Sequence, residues 1–235
     1  MTKQEQYLEL VQDRKKYKFP KGLLNPSEIL GGEYDCDHVE PFARWQGNLD
    51  AEIFLIGQDF GGSKFFVENK GDNKPSSYTN KKLMLLFKQI DAGIDLGSSN
   101  SPNTSAPVFL TNAIVGIVDA DGKAQTKDKI KEEWIRRSAL DFIEPLLSIV
   151  QPKIIIAMGK VSFLCLAYIY PEAINIPRTF KLEEWVAKEP PICVDKKYIF
   201  PVSHCSPVNR NWKWEQQCKD WGRVAPYFKC DIGMN

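Results

Sequence analysis

The chain has 235 residues, with 31 Lys and Arg against 30 Asp and Glu, for a formal net charge of +1. A protein that coats nucleic acid without preference usually carries a larger basic excess, so the composition argues against that class, although a local basic face still suffices to hold a few phosphates over a small footprint. No apolar run approaches the ~20 residues of a membrane span, and residues 1–18 are too polar and charged for a signal peptide. We therefore expect an intracellular protein with no membrane association. Its six cysteines, Cys36, Cys165, Cys193, Cys205, Cys218 and Cys230, then read as free thiols. None form a C-x-x-C pair, so the spacing suggests neither zinc nor an iron–sulfur cluster. No metal and no cofactor are expected. The 43% of hydrophobic residues suffices for one large core. Without a repeat or a Ser/Gly linker, a single domain over 1–235 is expected, with 1–49 as an extension and 50–228 as the core.

In chain order, residues 3–16 place Tyr7, Leu8, Leu10 and Val11 among charged neighbours and predict a short amphipathic helix. Residues 19–48 are rich in Pro, Gly and Asp and predict loop, packed by Phe42 and Trp45. Four short β-branched or aromatic runs predict buried strands at 52–56, 108–110, 154–157 and 198–202. Helical patterns occupy 80–90, 127–150 and 161–170 between them, and 212–221 after the last. This alternation implies βαβ units and an α/β fold: three layers, α/β/α, around a central, mainly parallel four-stranded sheet. Crossovers are expected to be right-handed.

Each predicted strand ends in chemistry-bearing residues. The first runs into Gly57-Gln58-Asp59 and the second into Thr111-Asn112. The third runs into Gly159-Lys160, and the fourth into Ser203-His204-Cys205-Ser206-Pro207. Ligands of an open parallel sheet bind beyond the carboxyl ends of its strands. Asp59, Asn112 and His204 are therefore expected on one rim. A carboxylate can stabilise an oxocarbenium-like sugar or orient water. An amide can read a base edge through both a donor and an acceptor. An imidazole can donate to a base leaving as an anion. Together they suit cleavage of an N-glycosidic bond without a metal. Each also has a structural reading: Asp59 as a helix N-cap, Asn112 as a turn residue, and His204 as a loop residue.

Gly159-Lys160 is not a phosphate-binding loop, because Ile154 and Val161 stand where that motif needs Gly and Ser or Thr. No G-x-S-x-G is present, which argues against an α/β-hydrolase. The stretch from Ile53 through Gly57-Gln58-Asp59 instead resembles the first motif of uracil-DNA glycosylases, a strand running into G-Q-D-P-Y-H. Phe109-Leu110-Thr111-Asn112 resembles the strand ending in that superfamily's pyrimidine-reading Asn. Ile154 to Gly159 resembles its third core strand, and Ser203-His204-Cys205-Ser206-Pro207 its H-P-S-P signature. The resemblance spans roughly residues 50–210, in order.

The resemblance implies a monofunctional DNA glycosylase that leaves an abasic site, in repair or anti-phage defence. Its partner would be DNA containing the target base, and the protein is expected to be a monomer. Asp59 would activate water or stabilise the sugar cation, and His204 would hydrogen-bond the departing base at O2. Asn112 would read the pyrimidine edge, and Gln58 would add contacts to the base. Residues 206–210, with Ser206, Asn209 and Arg210, would enter the minor groove and help extrude the nucleotide, because chemistry on a stacked base requires flipping.

Three departures stand out. Phe60-Gly61-Gly62 replaces P-Y-H, so Gly61 lacks the tyrosine that excludes C5 substituents in the uracil enzymes. The C5 side is then open to a modified pyrimidine such as modified phage cytosine, unless Phe65, Phe66 or Tyr78 fills it. Cys205 replaces a Pro, which leaves that loop less constrained at φ. Finally, the stacking aromatic has no fixed position, and Phe60 is favoured. Lys74, Ser76, Ser77, Lys160 and Arg210 are candidate phosphate contacts, with Lys74 equally readable as a solvated loop residue. Trp212, Trp214 and Trp221 read as packing. Two competing readings are a non-catalytic base-recognition module on the same fold and a hydrolase of free nucleosides.

Overall fold

The computed structural model describes residues 1–39, 48–72, 76–94, 107–119, 130–177, 179–206 and 213–229. Phe42, Trp45, Lys74, Asn209, Arg210, Trp212 and Cys230 lie outside the described residues. The strands are β1 (Leu23–Leu24), β2 (Ile53–Gly57), β3 (Val108–Asn112), β4 (Ile117–Val118), β5 (Ile154–Met158), β6 (Ile192–Val194) and β7 (Lys197–Val202). The α-helices are α1 (Lys3–Lys16), α2 (Ser63–Glu68), α3 (Tyr78–Gln89), α4 (Glu132–Ser138), α5 (Glu144–Val150), α6 (Lys160–Ile169), α7 (Leu182–Val186), α8 (Trp214–Gly222) and α9 (Ala225–Lys229). A π-helical turn, Ala139–Ile143, joins α4 to α5.

The central sheet has the order β3–β2–β5–β7–β6. The first four strands are parallel, as the hydrophobic runs imply, and β6 pairs antiparallel with β7. The sheet therefore has five strands where the sequence predicts four. The missed strand is only three residues long, and its turn carries no common hairpin signature. Asp195 and Lys196 both take positive φ, 49° and 65°. That is the conformation a two-residue hairpin turn needs, and Asn-Gly is its usual sequence.

Alternate residues of each parallel strand feed opposite core layers. Phe54, Ile56, Phe109, Ile155 and Ala157 face one layer, with residues of α1, α4, α5, α6 and α7. Ile53, Leu55, Val108, Ile154 and Ile156 face the other, with residues of α2, α3, α8 and α9. Burial on both faces is why these strands read as continuous hydrophobic runs. The chain leaves β2 for β3 on one side and then returns to β5 on the other. Strand order therefore reverses between β2 and β5, and such a switch point opens a crevice at the carboxyl ends.

The N-terminal segment packs on the first layer, with the Tyr7 ring edge-on to Phe109 at 6.4 Å between centroids. Arg14 is fully buried and donates to Asn25 Oδ1, Asp35 Oδ1 and the carbonyls of Cys36 and His38. One guanidinium thus ties α1 to the following loop. Removing one partner of a buried ion pair strands the other charge, at ~3–5 kcal/mol. Arg14→Met is expected to lose about that much stability, read as a lower urea midpoint, with base release by the remaining folded protein unchanged. Among the described residues, no helix is long and apolar enough to cross a membrane.

Candidate active site

Strand register fixes the site's geometry. Gly57 pairs with Asn112, Ile56 with Ala157, and Met158 with Val202. Asn112, Gly57, Met158 and Val202 therefore form one transverse row at the carboxyl edge. Asp59 and His204 each lie two residues beyond that row, on loops leaving β2 and β7. Neighbouring strands are ~4.8 Å apart, so the rim from β3 to β7 spans ~14 Å. The structure thus brings Asp59, Asn112 and His204 to one rim.

Close approaches hold this edge together. A Cβ on Gly57 would lie 2.1 Å from Asn112 Oδ1, so only glycine lets the amide lie across β2. Gly159 caps α6 at φ +94°, and a Cβ there would come 3.3 Å from His204 Cβ. Ser162 Oγ donates within reach of two strand-end carbonyls, Gly57 O at 2.7 Å and Met158 O at 3.0 Å. The amides of Ala113 and Ile114 bond the carbonyls of Gly57 and Gln58, extending the β2–β3 pairing past the strand ends. Sequence reasoning missed Gly57, Gly159 and Ser162 as positioning residues. A Ser in a first helical turn carries no signal of the carbonyls it will meet.

Asp59 is not a helix N-cap, because Gly62 takes that place for α2. Its Oδ2 accepts from Gln58 Nε2 at 2.8 Å, and its Oδ1 from the Gly61 amide at 2.8 Å. Burial pushes its pKa above the ordinary carboxylate value, against the two hydrogen bonds, which favour the charged form. Its neighbour Gln58 is therefore occupied in orienting the carboxylate.

Burial pushes the His204 pKa down to about 4, so the ring is neutral at physiological pH. Its Nδ1 accepts from the Ser206 amide at 3.0 Å. In a neutral imidazole the other nitrogen then carries the proton, which makes Nε2 a donor. Ser206 thus contributes a backbone amide that sets the tautomer. The loop is less free than a missing Pro suggests, because Cys205 is buried with Sγ 3.6 Å from both Thr79 O and Met158 Sδ.

Several expected contacts are placed differently. Phe60 is buried in the second core layer, so its ring is largely committed to packing there rather than presented to a base. Gly61 has φ +84°, a conformation that strains any other residue. Phe65, from α2, lies 3.6 Å from the position a Gly61 Cβ would take, while Phe66 is wholly buried. Ser77 Oγ caps α3 by accepting from the Asn80 amide at 3.2 Å, and Ser76 is exposed beside it. Lys160 is engaged by Phe180. Its ammonium donates to Phe180 O, lies 4.1 Å from that ring's centroid, and borders a cleft of about 660 Å³ along α6 that none of Asp59, Asn112 and His204 lines. The Lys160 ammonium is therefore held by Phe180 rather than offered to a phosphate. Trp221 is fully buried against Phe87, in line with a packing role. Among the described residues, no group of three His, Cys, Asp or Glu side chains is arranged to hold a metal ion.

A parallel sheet with polar groups gathered beyond its carboxyl ends, at a switch in strand order, is the arrangement of α/β proteins whose ligands bind in the crevice at that rim. The chain belongs to the uracil DNA glycosylase superfamily, whose family profile matches residues 45–228. Members of that superfamily are DNA glycosylases, hydrolases that act in base excision repair. No curated protein matches the chain.

Proposed function

We propose that this chain is a monofunctional DNA glycosylase that hydrolyses the N-glycosidic bond of an extruded pyrimidine and leaves an abasic site. The observation that carries the reading is the pairing of a half-buried, poorly solvated and oriented carboxylate with a neutral, donor-form imidazole on one rim. The C1′–N1 bond breaks and its electron pair leaves with the base. His204 Nε2–H donates to the base carbonyl that gains charge. The sugar becomes cationic next to Asp59, whose carboxylate is poorly solvated until that cation forms. The interaction is therefore stronger in the transition state than in the ground state, which is what accelerates the step. Water adds at C1′, and its proton passes to Asp59 or to solvent. Asn112 holds the base edge.

For the base itself, we propose uracil or a C5-substituted pyrimidine such as modified phage cytosine, in repair or anti-phage defence. The φ of Gly61 supports a wall built without a side chain at that position, and Phe65 then sets how far a C5 group extends. Ser76 and Ser77 would face the DNA backbone and the segment 206–210 would enter the minor groove, with the protein acting as an intracellular monomer. The test is a panel of oligonucleotides carrying uracil, thymine, 5-hydroxymethylcytosine or its glucosylated form, with alkaline cleavage reporting abasic sites. Cleavage at uracil and at one or more C5-substituted bases is expected. Cleavage at uracil alone removes the C5 extension, and no cleavage at any base removes the enzymatic reading.

A further inference from the structure

We propose that Tyr78, Lys82 and Trp214 form a stacking platform for the DNA strand flanking the site, holding one unpaired base and its phosphate beside the His204 segment. Tyr78 opens α3 and is 51% exposed, although it is a large aromatic residue on a helix that packs into the core. Lys82 lies one turn further along, so both project from the same helix face. The Lys82 ammonium stands 5.5 Å from the Tyr78 ring centroid and 3.8 Å from that of Trp214. Trp214 belongs to a different helix, as the first residue of α8, and is only partly buried. A cation shared by two surface rings supplies what unpaired DNA requires: a π face for a base and positive charge for the backbone.

The platform lies on the flank of the rim. Cys205 Sγ sits 3.6 Å from Thr79 O, which packs the first turn of α3 against the residue following His204. Lys82 is near enough to act on the Cys205 thiol, opposing the burial that pushes it up to about 12. Charge complementarity points the same way. Helix α3 carries Lys81, Lys82 and Lys88 and no acidic residue, in a chain whose net charge is only +1. A nearly neutral protein that binds DNA must concentrate its cations locally, and Lys81 and Lys82, near the start of this helix, do so on the side packed against Cys205. Lys82 over Trp214 also joins α3 to α8, but that packing role leaves the exposed Tyr78 ring unexplained.

The platform rests on the glycosylase reading only for the identity of its ligand as DNA, so its test is binding. Fluorescence anisotropy would compare a single-stranded oligonucleotide with a duplex carrying a tetrahydrofuran abasic analogue, for wild type, Tyr78→Ala, Tyr78→Phe and Lys82→Met. Tyr78→Ala is expected to weaken single-strand binding about 10-fold, and Tyr78→Phe to bind like wild type. Lys82→Met is expected to reduce the salt slope of single-strand binding by ~0.7, one phosphate's share. If Lys82→Met fails to fold, the two Tyr78 variants still decide the matter. Binding by Tyr78→Ala equal to wild type, or an equal loss in Tyr78→Phe, overturns the platform. Base release with Tyr78-independent binding overturns the platform alone. Tyr78-dependent binding with no base release overturns the glycosylase reading and leaves the platform standing.

Discussion

Asp59→Asn is expected to lower base release by more than ~100-fold while leaving the fold at least as stable as wild type at neutral pH. The two effects have one origin. Burial raises the folded-state pKa of Asp59 above its ordinary value, so the folded chain holds that proton more tightly than the unfolded chain. As pH rises from the unfolded pKa through the folded one, stability is therefore lost, and above both values the fold bears a poorly solvated charge. Asparagine keeps the shape and an acceptor for the Gly61 amide without that charge, and a turn of the Gln58 amide brings its oxygen to the new NH2. The wild-type urea midpoint should thus fall relative to that of the variant as pH rises from about 4, near the unfolded carboxylate pKa, to about 7. The same ionisation governs activity, and kcat/KM is expected to decline on the acid side as Asp59 protonates, at a pH above the ordinary carboxylate range. A residue serving only the fold would show the reverse: loss of stability on substitution, with turnover retained by the folded fraction.

His204→Ala is expected to cost ~100–1000-fold in base release, the usual effect of removing one donor to a developing anion. DNA affinity should change far less, because the hydrogen bond strengthens only as the base departs. Its folded pKa, down to about 4, lies below the ordinary value of 6.5. Between those two values the unfolded chain binds a proton that the folded chain refuses, so wild-type stability falls as pH drops through that window. The alanine variant should lack this part of the acid sensitivity, measurable from urea midpoints across about pH 4 to 6.5. A non-catalytic DNA-binding module is distinguished by the same pair of variants, since it would keep its affinity and have no turnover to lose.

Much of the fold was legible because strands buried on both faces announce themselves. Ile154-Ile155-Ile156-Ala157 and Ile53-Phe54-Leu55-Ile56 are hydrophobic throughout, and their ends lie within a residue of prediction. The three-residue β6 was not legible, because its pairing is dictated by β7 and its Asp195-Lys196 turn lacks a common hairpin signature. Helix α2 is too short to show a period. The rim residues Asp59, Asn112 and His204 could be read because each directly follows or ends a strand. Side-chain direction could not be read. Lys160 follows a glycine at the rim, yet its ammonium turns to Phe180, which sits 20 residues away in sequence. Phe60 adjoins Asp59 but faces the core, whereas Phe65 reaches Gly61 through a helix the sequence did not disclose.

The most direct measurement is mass spectrometry of both products from a DNA strand bearing one target pyrimidine. Each turnover is expected to yield one free base and one strand that has lost the base and gained water, with its backbone intact until alkali is added. A strand of unchanged mass under saturating protein, or a strand already broken without alkali, would contradict hydrolysis by Asp59 and His204 at this rim.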